Sequence, residues 1–300
     1  MSPTLAPIDP LRDCVDGIYR DEVVEVRALG PVPPRRELHM VRTEHFDVVP
    51  GRGVLRVGHR VPPDRIDDDL AGLLADELFG PGWLRGPELF ERIFTGTVRS
   101  AHPEPLAGWE LFYRNTLARI RERVDDGART GGGHGTIADY APVYAHVTDL
   151  LASGSVLELG CCFGFLSLRV AATGRPVTAS DLSAGTMGLL GRVAPRLGLP
   201  LATVTADAAH FPSADRSHDT VLAVHLLEHL APDHGARVVA EAVRLASRRV
   251  VVAVPLEDEA DETWGHVRTV SLDDLAARGR ATGLPFDVHE HHGGWLVIDT

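Results

Sequence analysis

Apolar positions change their spacing along this chain, and each change marks a new kind of element. In the first sixty residues, EVVEVRALGPV, ELHMVRTEHFDVV and GVLRVGHRV have β character, with Pro31, Pro33, Pro34, Pro50, Gly51 and Gly53 between them. That pattern predicts a small antiparallel meander. From Ile66 the spacing turns helical: DDDLAGLLADELF opens on acids suited to a helix N-terminus and carries Leu70, Leu73, Leu74 and Leu78 at helical intervals. Further helices are predicted over 87–98 and 108–124, the latter with Leu111, Phe112, Leu117 and Ile120 inward.

ARTGGGHG, residues 128–135, holds four glycines in eight positions and reads as a hinge or boundary. The expected division is an accessory α+β region over 1–130, a candidate lid, substrate platform or dimer surface, and a second domain over 136–300. After the boundary, TIADYAPVYAHVTDLLASG predicts a helix. Tyr140 and Tyr144 are candidates to pack over a ligand, with an ordinary core or interface role as the alternative.

From Ser155 onward, strands of near-continuous Val, Leu and Ala alternate with amphipathic helices. The strands are VLEL, RPVTASD, LPLATVTAD, SHDTVLAV, RRVVVAVPL, PFDVHEHH and GWLVIDT. Such alternation predicts an α/β fold with a parallel sheet covered on both faces. The last two strands, parted only by Gly293 and Gly294, must form a hairpin, which makes the final strand antiparallel.

Composition narrows the partners. At 300 residues, 32.4 kDa and 44% hydrophobic, the chain has room for a sizeable core and for two domains. A formal charge of −12 makes nucleic acid a poor partner and favours a glycan or small-molecule acceptor. All 30 basic residues are arginine, so lysine chemistry of every kind is excluded. Cys14, Cys161 and Cys162 cannot build a disulfide framework. No apolar run approaches the roughly 20 residues of a membrane span, and MSPTLAPIDPLRD lacks the features of a secretory leader, so a cytoplasmic protein is expected. Oligomeric state is left open.

The stretch VLELGCCFGF, Val156 to Phe165, predicts a strand, a tight turn and a helix start, the place where an open α/β sheet receives a nucleotide-like ligand. Downstream acids stand at Asp181, ending the second strand, and at Asp207, with Ala208, leading to the fourth. Glu158, Gly160, Cys162 and Gly164 alternate along the turn. A dinucleotide-binding protein is the natural competitor, but two cysteines follow Gly160 where its third-position glycine is expected.

These residues resemble the class I S-adenosylmethionine-dependent methyltransferases over 137–300, with Cys162 in place of the family's middle glycine. The resemblance implies a seven-stranded Rossmann-like sheet and S-adenosylmethionine as cofactor. It further implies donor binding by Glu158, Gly160, Cys161, Gly164, Asp181, Asp207, Ala208 and Tyr144. In this reading the glycines admit the donor closely, Asp181 takes the ribose hydroxyls and Asp207 the adenine amino group. Cys162 is expected to be buried beside the cofactor. GCCFGF, TASDLSAGTM, HLLEHL, VAVPLEDE, GHVRT and VHEHHGGWLV are together similar to the oligosaccharide methyltransferases associated with mycofactocin in actinobacteria. That similarity implies O-methylation of a glucose hydroxyl. An O-methyltransferase of aromatic or polyketide acceptors and a non-catalytic donor-binding module are the alternatives.

HLLEH places His225, Glu228 and His229 at i, i+3 and i+4, predicted to share one helix face at the end of the fourth strand. This spacing offers a divalent-ion site formed by His225, Glu228 and His229, with a plain helix start as the alternative. Without a metal, His229, then His266, with His225 beside them, are the candidate bases. His289, His291 and His292 are expected at the same rim. Glu257 in the acidic run after the fifth strand is a candidate sugar ligand or a solvated loop residue, and Arg268 a candidate loop anchor.

Overall fold

The computed structural model describes residues 5–30, 38–51, 53–125, 137–260 and 265–300. The chain divides into two compact units, Met1–Tyr140 and Ala141–Thr300. The glycine-rich stretch 128–135 lies outside the described residues.

In the first unit, β1 (Ile18–Arg20), β2 (Val24–Ala28), β3 (Val41–Arg42), β4 (Phe46–Pro50) and β5 (Leu55–His59) form one sheet in the order β1-β2-β5-β4-β3. The predicted antiparallel meander is corrected at one pairing: β2 and β5 run parallel. The chain goes from β2 to the far edge at β3 and comes back through two antiparallel pairings, so β5 returns beside β2 in the same direction, with Val57 level with Val26 and Val48 and all three buried. Helices follow where the leucine spacing placed them: α1 (Asp69–Leu74), running into a π turn over Ala75–Phe79, then α2 (Pro87–Ser100) and α3 (Pro105–Asp125). A proline opens both α2 and α3, at the position where its missing N–H is no loss. Helix α2 lies close on the sheet at Gly96, where a Cβ would stand 2.4 Å from Val26.

The second unit runs α4 (Ala141–Leu150), β6 (Val156–Leu159), α5 (Phe165–Ala171), β7 (Val177–Asp181), α6 (Ala184–Arg196), β8 (Ala202–Thr205), β9 (His218–Val224), α7 (Pro232–Leu245), β10 (Ala246–Val254), α8 (Leu272–Thr282), β11 (Phe286–Glu290) and β12 (Gly294–Asp299). Its seven strands lie in the order β11-β12-β10-β9-β6-β7-β8. β12 is antiparallel to both neighbours, and the pairs from β10 to β8 are parallel. Strand order reverses between β6 and β9, and the crevice at such a switch point is where open α/β sheets bind ligands. Leu157, Leu159, Val221, Ala223, Val250, Val252, Leu296 and Ile298 bury one face of this sheet with Val238, Ala242 and Leu245 of α7.

The final hairpin has a three-residue tip, not the expected two: Gly294 pairs with Glu290, and His291–Gly293 make the turn, with φ +49° at His292 and +139° at Gly293. Gly293 is required there, because a Cβ would meet the Val254 carbonyl oxygen at 2.6 Å.

Candidate active site

The turn after β6 is a backbone device. Gly160, Cys162 and Gly164 have φ of +70°, +50° and +75°, so every second residue sits in the left-handed region. That alternation is the physical content of the glycine spacing. A Cβ at Gly160 would stand 2.7 Å from a Leu226 methyl, and one at Gly164 2.4 Å from a Leu190 methyl, so neighbouring side chains crowd both positions as well.

Cys162 is exposed, not buried as expected. Its N–H donates to Asp181 Oδ2 at 3.0 Å, which ties the turn to the end of β7 and turns the side chain outward. Cys161 is the buried thiol, and burial pushes its pKa well up, which makes it inert. Its N–H donates to the Ser180 carbonyl at 2.9 Å.

Glu158 is buried at the end of β6 and accepts a 2.5 Å hydrogen bond from the Ser167 hydroxyl of α5. Burial raises its carboxyl to a pKa of about 7, and the Ser167 bonds only partly oppose this. Asp181 accepts from Cys162 N–H on one oxygen and from Ser183 N–H, at 2.9 Å, on the other. An ionised carboxylate has about four acceptor sites, so both oxygens retain capacity for a pair of hydroxyls. Beside it, Leu182 is 76% exposed and offers an apolar surface to a flat ring. Sequence reasoning passed over Leu182, although an apolar residue directly after a strand-ending acid was the available sign. Asp207, past the end of β8, holds Ala209 N–H and His234 Nε2 on Oδ1, both at 2.9 Å. The Ala209 bond and His234 hold it below its ordinary value. His234 was likewise not anticipated. Ala208 is partly buried against the core, and Tyr144 is half-buried on α4.

The histidine motif takes a different form from the predicted helix face. β9 stops at Val224, His225 turns left-handed at φ +51°, and only a short 3-10 turn, Leu227–His229, follows. His225 N–H donates to the Ala253 carbonyl at 2.9 Å, which holds the break in place. His225, Glu228 and His229 therefore do not share a helix face. His225 Nδ1 lies 3.4 Å from Glu228 Oε1.

The third member of the cluster comes from the loop after β10. Val267 N–H donates to the Glu228 carbonyl at 3.0 Å, and Arg268 reaches the Leu230 and Leu227 carbonyls at 2.9 and 3.2 Å. Arg268 thus anchors the loop, and His266 arrives beside His229, ring centroids 4.9 Å apart. The ligand atoms of Glu228, His229 and His266 lie within 4.8 Å of one another. His289 and His291 instead contact His146 of α4, with 2.8 Å between the Nε2 atoms of His146 and His289.

Residues 156–248 match the family model described as a methyltransferase domain. The matched stretch runs from β6 into β10, inside the seven-stranded sheet of the second unit, and it is this part of the chain that is similar to methyltransferase domains. No curated protein matches the chain. Among solved structures, the chain is similar to a SAM-dependent methyltransferase from Methanosarcina mazei (16% identity, 51% of this chain and 95% of that one, TM-score 0.45). It is similar also to the magnesium protoporphyrin IX methyltransferase of Synechocystis with bound SAM (19%, 61% and 80%, TM-score 0.41). A third is a SAM-dependent methyltransferase from Aquifex aeolicus (14%, 61% and 96%, TM-score 0.45). No helix among the described residues is long and apolar enough to cross a membrane.

Proposed function

We propose that the enzyme transfers a methyl group from S-adenosylmethionine to the oxygen of a carbohydrate hydroxyl, a glucose of the mycofactocin oligosaccharide being the acceptor to which the sequence resemblance points. The donor residues fit the cofactor: Asp181 has spare acceptor capacity for the ribose hydroxyls, Leu182 offers its exposed face to the base, and Asp207 Oδ2, with only His210 at 4.0 Å, can accept from the adenine amino group. When bound, S-adenosylmethionine supplies an electrophilic methyl group, whose bond to sulfur breaks as the bond to the acceptor oxygen forms. The protein's part is to orient the two reactants and accept the hydroxyl proton.

The observation that carries an oxygen acceptor is the Glu228, His229 and His266 cluster. His229 Nδ1–H donates to the Gly265 carbonyl at 3.2 Å, and His266 Nδ1–H to Glu257 Oε2 at 2.8 Å. In the neutral imidazole this leaves Nε2 of each ring for the acceptor's proton or for a cation. A neutral glycan suits a chain of net charge −12 without lysine.

Labelled donor incubated with glucose oligosaccharides and, separately, with phenolic acceptors tests the reading by mass spectrometry. Gain of one methyl on the sugar is expected. Methyl gain only on the phenols supports the aromatic alternative, and donor binding without methyl gain on any acceptor supports a binding module.

A further inference from the structure

We propose that Glu228, His229 and His266 bind one divalent first-row transition-metal ion, with Glu257 and the Gly265 carbonyl as the groups that orient the two histidines. The use of that ion in catalysis rests on the methyl-transfer reading, but its binding stands on geometry alone.

Two imidazoles and a carboxylate are a donor set for ions of the manganese-to-zinc series, at about 2.0–2.2 Å from each ligand atom for zinc. Ligand atoms already within 4.8 Å of one another need little movement to close on one ion. Each histidine shows the arrangement metal ligands have: the nitrogen not used for binding donates to an oxygen, Glu257 Oε2 for His266 and the Gly265 carbonyl for His229. These bonds set both tautomers so that both Nε2 lone pairs are available to a cation.

Glu228 supplies an independent observation. It is 1% exposed, and neither carboxylate oxygen receives a hydrogen bond, although His225 stands 3.4 Å away. Burial of a carboxylate without donors is costly, and a cation offsets that cost directly. The other cluster of three such groups among the described residues, Asp67, Asp68 and Asp69, already has a permanent cation beside it, Arg119, which pairs with Asp67 at 2.8 Å and also with Asp69.

Three protein ligands leave open coordination positions, as catalytic rather than structural metal sites do. His266 and Glu228 are buried while His229 is exposed, so the open side faces solvent. Two neighbouring sugar hydroxyls can fill those positions, and an ion there favours the ionised form of the hydroxyl to be methylated.

The test uses the full chain without a histidine tag, stripped by a chelator and titrated with Co2+, followed by visible absorption and calorimetry. One equivalent with ligand-field bands is expected. His266→Ala and His229→Ala should abolish it, and Glu257→Gln should weaken it by roughly 10- to 100-fold. His291→Ala, outside the cluster, should leave it unchanged. Donor affinity and circular dichroism show that each variant is folded. Glu228→Gln, which keeps the side chain's volume, serves if Glu228→Ala does not fold.

No stoichiometric uptake, or uptake indifferent to His266→Ala, overturns the proposal. A stripped enzyme that methylates sugar at full rate in EDTA overturns the catalytic use of the ion and leaves the methyl-transfer reading standing. One bound equivalent with no methyl gain on any acceptor leaves the site standing and removes the functional reading.

Discussion

Three buried acids of the first unit are paired with arginine, whereas Glu158 and Glu228 of the second are not. In the first, Asp21 meets Arg92 at 2.8 Å, Asp47 meets Arg42 at 2.7 Å and Arg60 at 2.5 Å, and Asp67 meets Arg119 at 2.8 Å. Burial alone raises the Asp21 carboxyl, but the Val24 and Val23 N–H groups and Arg92 outweigh it, so the acid ends below its ordinary value. In the second unit, Glu158 has a serine hydroxyl and Glu228 an imidazole 3.4 Å away. An acid matched to a permanent cation is committed to structure. One left with a hydroxyl or imidazole keeps its capacity for a proton, an ammonium group or an ion.

The largest effect should come from breaking a matched pair. Arg92→Met leaves Asp21 buried without its partner and should destabilise the protein by about 3–5 kcal/mol. Denaturant unfolding measures this, and donor affinity of the folded fraction should not change. A loss of only about 1 kcal/mol, the scale of exposed pairs, would remove the distinction between the units. Next, Asp181→Ala should weaken S-adenosylmethionine binding by roughly 100-fold or more, since two charge-assisted hydrogen bonds contribute about 1.5 kcal/mol each. Calorimetry reads this. An unchanged affinity would place the ribose elsewhere.

Glu158 gives a pH dependence with a definite sign. Its carboxyl rises from an ordinary 4.5 to about 7 in the folded protein. The folded state holds the proton more tightly, so the contribution to stability is complete below the unfolded value and is lost as pH rises between the two. Over that window the change is about 3 kcal/mol. Glu158→Gln is neutral at every pH and keeps the Ser167 contact. Unfolding of both proteins without donor at pH 5 and pH 8 should show the variant gaining relative to the parent at the higher pH. A difference that does not vary with pH would mean that Glu158 titrates as an ordinary acid.

Much of this arrangement was legible before the fold was seen. The seven strands, the closing hairpin and the three acids Glu158, Asp181 and Asp207 follow from apolar runs and strand-ending carboxylates, which are local patterns. What was not legible depends on backbone sign or on distant pairing. HLLEH has helical spacing, and nothing in the letters reveals that His225 turns left-handed at φ +51°. The parallel pairing of β2 with β5 depends on β3 taking the far edge of the sheet, a choice made by distant strand pairing. His266 joins Glu228 and His229 only because Val267 and Arg268 bind carbonyls of the 227–230 turn, which also makes Glu257 a support for a histidine.

The smallest effect tests how the donor turn works. Cys162 holds φ +50°, which costs a non-glycine residue roughly 1 kcal/mol. Cys162→Gly removes that strain but frees the unfolded chain by about 0.4–1 kcal/mol, so stability should move by less than about 1 kcal/mol. Donor binding should persist, because the contact that matters is the N–H bond to Asp181 Oδ2, which glycine retains. Cys162→Val should do worse on both counts, since a β-branched residue resists the left-handed region and would pull the N–H away from Asp181. A glycine variant that folds but no longer binds S-adenosylmethionine would mean that the thiol itself meets the donor. The turn would then belong, with Glu158 and Glu228, among the parts of the second unit that act through side chains.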